Sequence, residues 1–348
     1  MGSWALFSPS LDAAVFLGSA LLSLLALAVG HWCGFLQQSS PEWTWVVSVL
    51  LVDVAHVWST GFRTYFDLAE LRRRPWLYGL TPLFCWLAGV ALYSQGSGFF
   101  WRCLAYLAVW HFVRQQYGWV ALYRARNHDP GGWQRVLDTA TIYLATLYPL
   151  AHWHAHLPRQ FWWFLEGDFQ SGPLWLAQVS GWAYAFCLLA YCGRAVASYL
   201  GHGRPSPGKD MVVLTTALCW YLGIVVFNSD YAFTVTNVLI HGIPYMALVY
   251  WKRLPGRQAP PWWVFVLSLW ALAYAEELFW DRAVWHERHW LFGGSWELAN
   301  WHLWLVPLLA TPQMTHYVLD GFIWKRRHNR ALFQQSCPSA RPASSTAP

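Results

Sequence analysis

Residues 12–30 read DAAVFLGSALLSLLALAVG, nineteen positions with a single charge, at Asp12. At ~1.5 Å of rise per residue, about 20 such residues carry a helix across the ~30 Å hydrocarbon core of a bilayer. No basic stretch precedes the run, so it lacks the form of a cleaved signal and is expected to stay as a first membrane helix. Comparable runs recur near 43–62, 76–95, 99–123, 136–157, 173–193, 211–228, 231–251, 262–280 and 300–324. The joints between them carry charge or helix breakers, as in Arg72-Arg73-Arg74-Pro75 and Asp129-Pro130-Gly131-Gly132. The expected fold is all-α: a polytopic membrane bundle of about ten helices, one domain over residues 1–330, then a Ser/Ala/Pro-rich disordered tail over 331–348.

Composition points the same way. Of 348 residues, 56% are hydrophobic and 11% charged, against roughly 25% charged in soluble chains. So few charges cannot cover a soluble surface of this size. The 28 tryptophans suit a bilayer, whose headgroup level buries an indole ring and keeps its N–H wet. The net charge of +6 comes from short basic clusters between apolar runs, not from one basic face, which excludes a nucleic-acid partner. The seven cysteines form no CxxC pair, so neither a zinc knuckle nor a disulfide framework is indicated.

The basic residues also orient the chain. With ten spans and both termini cytoplasmic, eighteen Lys and Arg fall inside and four outside (Arg102, Arg159, Arg282 and Arg288), with Arg114 left within a span. One missed or invented span would flip the later loops and erase this asymmetry. Arginine outnumbers lysine 20 to 3, as in GC-rich bacteria, and the expected location is a bacterial inner membrane.

Ionisable groups at membrane depth are costly unless paired or liganded, so function is sought there. Four spans carry them: Asp53 and His56 in the second, His111, Gln115 and Gln116 in the fourth, Asn237 and His241 in the eighth, His316 and Asp320 in the tenth. The spacings i, i+3 and i, i+4 put each pair on one helix face. All four spans run from outside to inside. His56 precedes Arg63 by seven residues, His316 precedes Lys325 by nine, His241 precedes Lys252 by eleven and His111 precedes Arg124 by thirteen. The four histidines therefore share a layer roughly 10–20 Å from the inner boundary.

Imidazole and carboxylate presented from facing helices are how bundle proteins hold iron, manganese or zinc. His56, His111, His241 and His316 are the candidate metal ligands, with Asp53 and Asp320 as further ligands or as partners that fix histidine tautomers. Gln115 and Asn237 are candidates for orienting roles around the reaction. Iron, in one or two ions, is the expected cofactor; zinc and haem are the alternatives, although haem would need two histidines and leave the carboxylates unexplained. A lone membrane histidine is more often an interhelical hydrogen-bonder, and Trp110-His111 with Arg114 suits an anionic headgroup as well. On the outer side, His152, His154, His156, His286, His289 and His302 form a second set. The alternate spacing of the first three does not share one helix face, so a cap is expected there rather than a metal site. Glu276 and Glu277, near the outer end of the ninth span, either close a polar network or face water.

Three segments, DVAHVWSTGFRTYFD (53–67), HFVRQQYGWVALY (111–123) and PQMTHYVLDGFIW (312–324), resemble segments of bacterial multi-pass membrane proteins. The resemblance covers the motif helices and implies no activity. The histidines do not follow the HxxxH and HxxHH boxes of membrane desaturases and hydroxylases; they share only a placement on several helices near the cytosolic side. The expected function is a membrane metalloenzyme, a non-haem iron oxidoreductase acting on a lipid or other hydrophobic substrate and fed by a redox partner. The rivals are a proton-coupled transporter or channel using the buried His/Asp pairs, and a non-catalytic scaffold.

Overall fold

The computed structural model describes residues 4–37, 40–252, 260–325 and 329. The expected tail over 331–348 lies outside the described residues, as do Arg253, Arg257, Arg326, Arg327, Arg330 and Arg341 of the charge tally. The described residues are helical, with no strand among them. Ten long helices follow the ten apolar runs: α1 Pro9–Trp32, α2 Glu42–Arg63, α3 Pro75–Tyr93, α4 Ser97–Asn127, α5 Trp133–Ala155, α6 Leu174–His202, α7 Pro207–Val226, α8 Asp230–Trp251, α9 Trp262–Trp285 and α10 His302–Ile323.

Seven of them (α1–α3 and α6–α9) are long and apolar enough to cross a membrane, which marks an integral membrane protein. The other three have the length but not the apolarity. In α4 the run is interrupted by His111, Arg114, Gln115 and Gln116, in α5 by Asp138, His152 and His154, and in α10 by Gln313, His316 and Asp320. Two of these three supply site histidines, so polar cargo is what lowers their hydropathy. The outward surfaces of α1, α3 and α6 present Leu21, Leu25, Phe84, Leu87, Trp182, Phe186 and Leu189, all exposed. Lipid can solvate such side chains directly.

The bundle is built around α8. Its residues from Tyr231 to Gly242 are all buried, and it packs against α1, α2, α4 and α7. A helix buried on every side must satisfy its polar groups locally; Thr236 does so by donating to Ala232 O on its own helix. The second ring around the core is formed by α10, which packs on α2, α3, α4 and α9.

Two features bring α2 and α8 together. Residues Trp45–Val54 wind as a π-helix, a wider turn that resets the register of the helix just before His56. Across from them, Gly242 lacks a side chain where one would collide: a Cβ there would lie 2.6 Å from Val52 Cγ1 and 3.0 Å from the Val52 carbonyl oxygen. Hydrogen at this position thus lets the two backbones approach beside His241 and His56. Gly242→Val should part them and lower stability by about 1–3 kcal/mol, the usual cost of overpacking. Gly118→Ala, whose Cβ would meet nothing within 4 Å, should leave the unfolding temperature in detergent unchanged.

Candidate metal centre

His56 on α2, His111 on α4, His241 on α8 and His316 on α10 meet in the interior, each 6% exposed or less. Their rings form a closed four-membered circuit. Centroids are 4.6 Å apart for His56–His241, 5.3 Å for His241–His111, 4.5 Å for His111–His316 and 5.0 Å for His316–His56. Within it, the Nε2 atoms of His56 and His241 lie 3.1 Å apart, and those of His111 and His316 lie 3.0 Å apart. The shared depth expected from the sequence is thus accompanied by lateral convergence from four helices. Phe112 stacks flat on His241 at 3.5 Å, and Tyr317 stacks on His111 at 4.6 Å, so aromatic faces lock two of the rings.

The groups behind the rings define which nitrogens carry protons. Thr60 Oγ1 lies 2.7 Å from His316 Nδ1 and 2.8 Å from the Tyr245 hydroxyl, and Tyr245 donates to Asp320 Oδ1 at 2.5 Å. Trp324 Nε1 donates to the Tyr245 oxygen at 3.3 Å. If Asp320 is ionised, the directions follow. The Tyr245 proton is committed to the carboxylate, Thr60 gives its proton to Tyr245, and the Thr60 oxygen accepts from His316 Nδ1–H. That leaves His316 Nε2 as a bare lone pair turned toward His111 Nε2, a tautomer inferred from the network.

The His56–His241 pair shows a different imbalance. The Nδ1 atoms of both rings are buried without a hydrogen-bond partner. If one neutral imidazole donated its Nε2–H to the other, the acceptor would have to carry its own proton on an unpartnered, buried Nδ1, at about 1–3 kcal/mol. For His56 the relief lies nearby: Asp53 Oδ1, also unpartnered, is 3.4 Å from its Nδ1. A proton on His56 Nδ1 facing Asp53 would free Nε2 as a lone pair, the usual arrangement of a metal-bound histidine backed by a carboxylate.

Two sets of ligand atoms lie within 4.8 Å of one another: His56, His111 and His241, and His111, His316 and Asp320. The first is a three-imidazole set, the second two imidazoles and one carboxylate, and His111 is common to both. Two imidazole nitrogens bound ~2.0–2.1 Å from one ion stand roughly 2.9–3.4 Å apart between right-angle and tetrahedral geometry. The observed 3.0 and 3.1 Å separations fall in that interval. The donor types and the two pair separations suit a metal ion, with the third donor of each set within 4.8 Å.

Gln115 Nε2 donates to the carbonyl oxygen of His241 at 2.8 Å, one turn before Pro244 interrupts the helix ladder, and so holds α4 to α8 beside the rings. Asn237 is not brought to them: its amide donates to Phe233 O at 3.1 Å and to Thr236 Oγ1 at 3.1 Å, next to Gly223 of α7. Its place is one turn further out along α8. Arg114 donates to the Tyr143 hydroxyl and lies over the Tyr117 ring at 5.0 Å. Asp67 accepts from Glu70 N at 2.9 Å and caps the short helix Leu68–Arg73.

Glu276 accepts from Trp58 Nε1 at 2.6 Å, so this member of the acidic pair closes a polar contact between α9 and α2. Four of the six histidines of the second set bond to main chain: His154 Nδ1 to Leu150 O at 2.7 Å, His156 Nδ1 to His152 O at 2.8 Å, His289 Nδ1 to Gly293 O at 3.0 Å and His302 Nε2 to Ala283 O at 2.9 Å. They cap helix ends, and among the described residues they join neither ligand set. Thr60, Tyr245 and Tyr317 were not singled out in the sequence. Thr60 and Tyr245 lie four residues after His56 and His241, on the stripe that marked the other pairs.

No protein-family model matches the chain, and no curated protein or solved structure matches it. The functional reading therefore rests on the chemistry of these side chains.

Tyr245→Phe removes the bond to Asp320 and unlocks the Thr60–His316 contact while keeping the ring. Metal affinity should fall about 10–100-fold, as for other partners that orient ligands, in a metal titration of the chelated protein. Asn237→Ala should leave that affinity unchanged.

Proposed function

We propose that the chain is a membrane-embedded metal-dependent enzyme whose centre is formed by His56, His111, His241 and His316 with Asp320. The observation that carries this reading is the convergence of four buried imidazoles from four helices, in two pairs of Nε2 atoms 3.0–3.1 Å apart. Iron is the metal favoured by the set of His111, His316 and Asp320, since two histidines and one carboxylate leave open positions for oxygen and substrate. Bound there, iron would supply one-electron and oxygen chemistry. A haem is disfavoured, since a macrocycle needs parted axial histidines and these rings are in mutual contact.

The chain's own residues would do the rest. Asp320, Tyr245 and Thr60 hold His316 in one tautomer, Asp53 serves His56, and Gln115 ties α4 to α8. The aromatic walls Phe112 and Tyr317 exclude water and suit a hydrophobic substrate, lipid in class, entering from the bilayer. A redox partner would deliver electrons at the cytoplasmic side. The topology proposed with this reading has ten spans and both termini in the cytoplasm of a bacterial inner membrane, on the strength of the eighteen-to-four distribution of basic residues. In that topology a fluorescent protein fused to the C-terminus glows and alkaline phosphatase there is inactive. The opposite pair of results refutes the orientation.

A second reading has one observation in its favour. The chain Asp320–Tyr245–Thr60–His316–His111 is continuous at hydrogen-bond distance and suits a proton relay in a transporter. Elemental analysis of detergent-purified protein separates the two. About one or two equivalents of iron per chain, lost in the His56→Ala/His316→Ala double variant, is the expected result. Zinc in the same amount would keep the metalloenzyme and change its chemistry to hydrolysis. No metal, even after adding it, would leave the relay.

A further inference from the structure

At the end of the bundle where α4 turns into α5 and α6 into α7, a cavity of about 790 Å³ opens between the first turns of α5 and the last turns of α6. That volume lies within the ~300–1,000 Å³ range of ligand sites. Its wall includes Arg194, Arg204, Asp129, Trp133, Gln134 and Gly193. None of these residues belongs to the histidine centre.

The charges around it are unevenly spent. Asp138 is fully buried and is held by Arg124, by Arg194 at 3.2 Å and by Lys209 at 2.9 Å. Asp129, the one carboxylate in the cavity wall, is engaged by Lys209 at 2.5 Å. In the cavity wall Arg194 and Arg204 face Asp129 alone, and Asp129 is already engaged by Lys209. Arg194 lines the cavity while its Nη2 holds Asp138 Oδ1 at 3.2 Å. Two guanidinium groups in one cavity wall, those of Arg194 and Arg204, call for a phosphate or carboxylate oxygen. The opening is flanked on the outer faces of α5 and α6 by Trp133, Val136, Leu189, Val196 and Leu200, all exposed and apolar. A basic pocket continuous with an apolar outer surface matches an amphiphile whose head is an anion.

We propose that this cavity binds the phosphate headgroup of an anionic phospholipid, with the acyl chains lying along α5 and α6. Arg194 and Arg204 receive the phosphate, and Trp133 packs at the glycerol level, where indoles settle. The inference is independent of the metal, and it draws on the topology above only to assign the cytoplasmic leaflet.

The test uses the full chain in nanodiscs of equimolar phosphatidylglycerol and phosphatidylcholine, with the retained lipid counted by native mass spectrometry. Two variants address the site without touching the buried Asp138 network. Gly193→Leu plugs the cavity, since a Cβ at Gly193 meets nothing within 4 Å; Arg204→Gln removes one exposed charge. Wild type should retain phosphatidylglycerol at least about fivefold over phosphatidylcholine, the preference that one basic residue near a membrane surface provides. Arg204→Gln should lower that preference about fivefold, and Gly193→Leu should abolish retention, both with unfolding temperature and metal content unchanged. Equal retention of the two lipids, or phosphatidylglycerol retained undiminished by Gly193→Leu, would overturn the proposal. Inorganic phosphate binding to lipid-free protein, with no lipid retained in nanodiscs, would assign the cavity to a free phosphate and also overturn it.

Discussion

An imidazole nitrogen shut away from water is costly unless it finds a proton donor, a proton acceptor or a cation, and this bundle gathers four buried imidazoles into one small volume. The requirement is harsher in a membrane than in a soluble core, because no bulk water waits at the edge of the hydrocarbon to rescue a mispaired group. The rest of the architecture follows from meeting it. The Asp320–Tyr245–Thr60 chain takes up His316 Nδ1, and Asp53 stands where it can take up that of His56. The Nε2 atoms, facing inward, are left to one another, or to an ion.

The helices pay for this unequally. α8, the most buried of the ten, stays apolar enough for a membrane span and admits one histidine beside a glycine, whose missing side chain lets α2 come close. α4 and α10 hold more polar groups and fall below the apolarity of the seven candidate spans. They tolerate that because their polar faces turn toward the centre and each other, while the outward surface of the bundle is given to Leu, Phe and Trp. Tight interior packing and loose exterior packing are thus divided between helices: α8 is held on all sides, and α3, α6 and α9 present most of their surface outward.

Much of this was legible in the sequence, for physical reasons. Apolar runs near 20 residues long are hard to mistake, and the ten runs coincide with the ten long helices to within a few residues at most ends; α6 extends further, to His202. Histidines and carboxylates are rare at membrane depth, so His56, His111, His241 and His316 stood out, and their common depth anticipated a meeting that only the packing angles could settle. Thr60 and Tyr245 did not stand out, because threonine and tyrosine are ordinary residues in membrane helices and usually bond their own backbone. Only their i+4 spacing from His56 and His241 marked them. Asn237 shows the opposite failure. It shares the face of His241, but one turn is ~5.4 Å of rise, enough to place its amide beside α7 rather than among the rings. Glu276 could not be assigned from sequence because its partner, Trp58, lies on a distant helix.

The central claim is that these four imidazoles ligate one metal centre, and X-ray absorption at the metal edge of the purified protein addresses it most directly. The account predicts nitrogen and oxygen neighbours at about 2.0–2.2 Å with the outer-shell scattering of several imidazoles and no sulfur. Because His111 belongs to both ligand sets, His111→Ala should alter that spectrum more than any other single change. A shell containing sulfur at ~2.3 Å, or a spectrum that His111→Ala leaves as it was, would contradict the account.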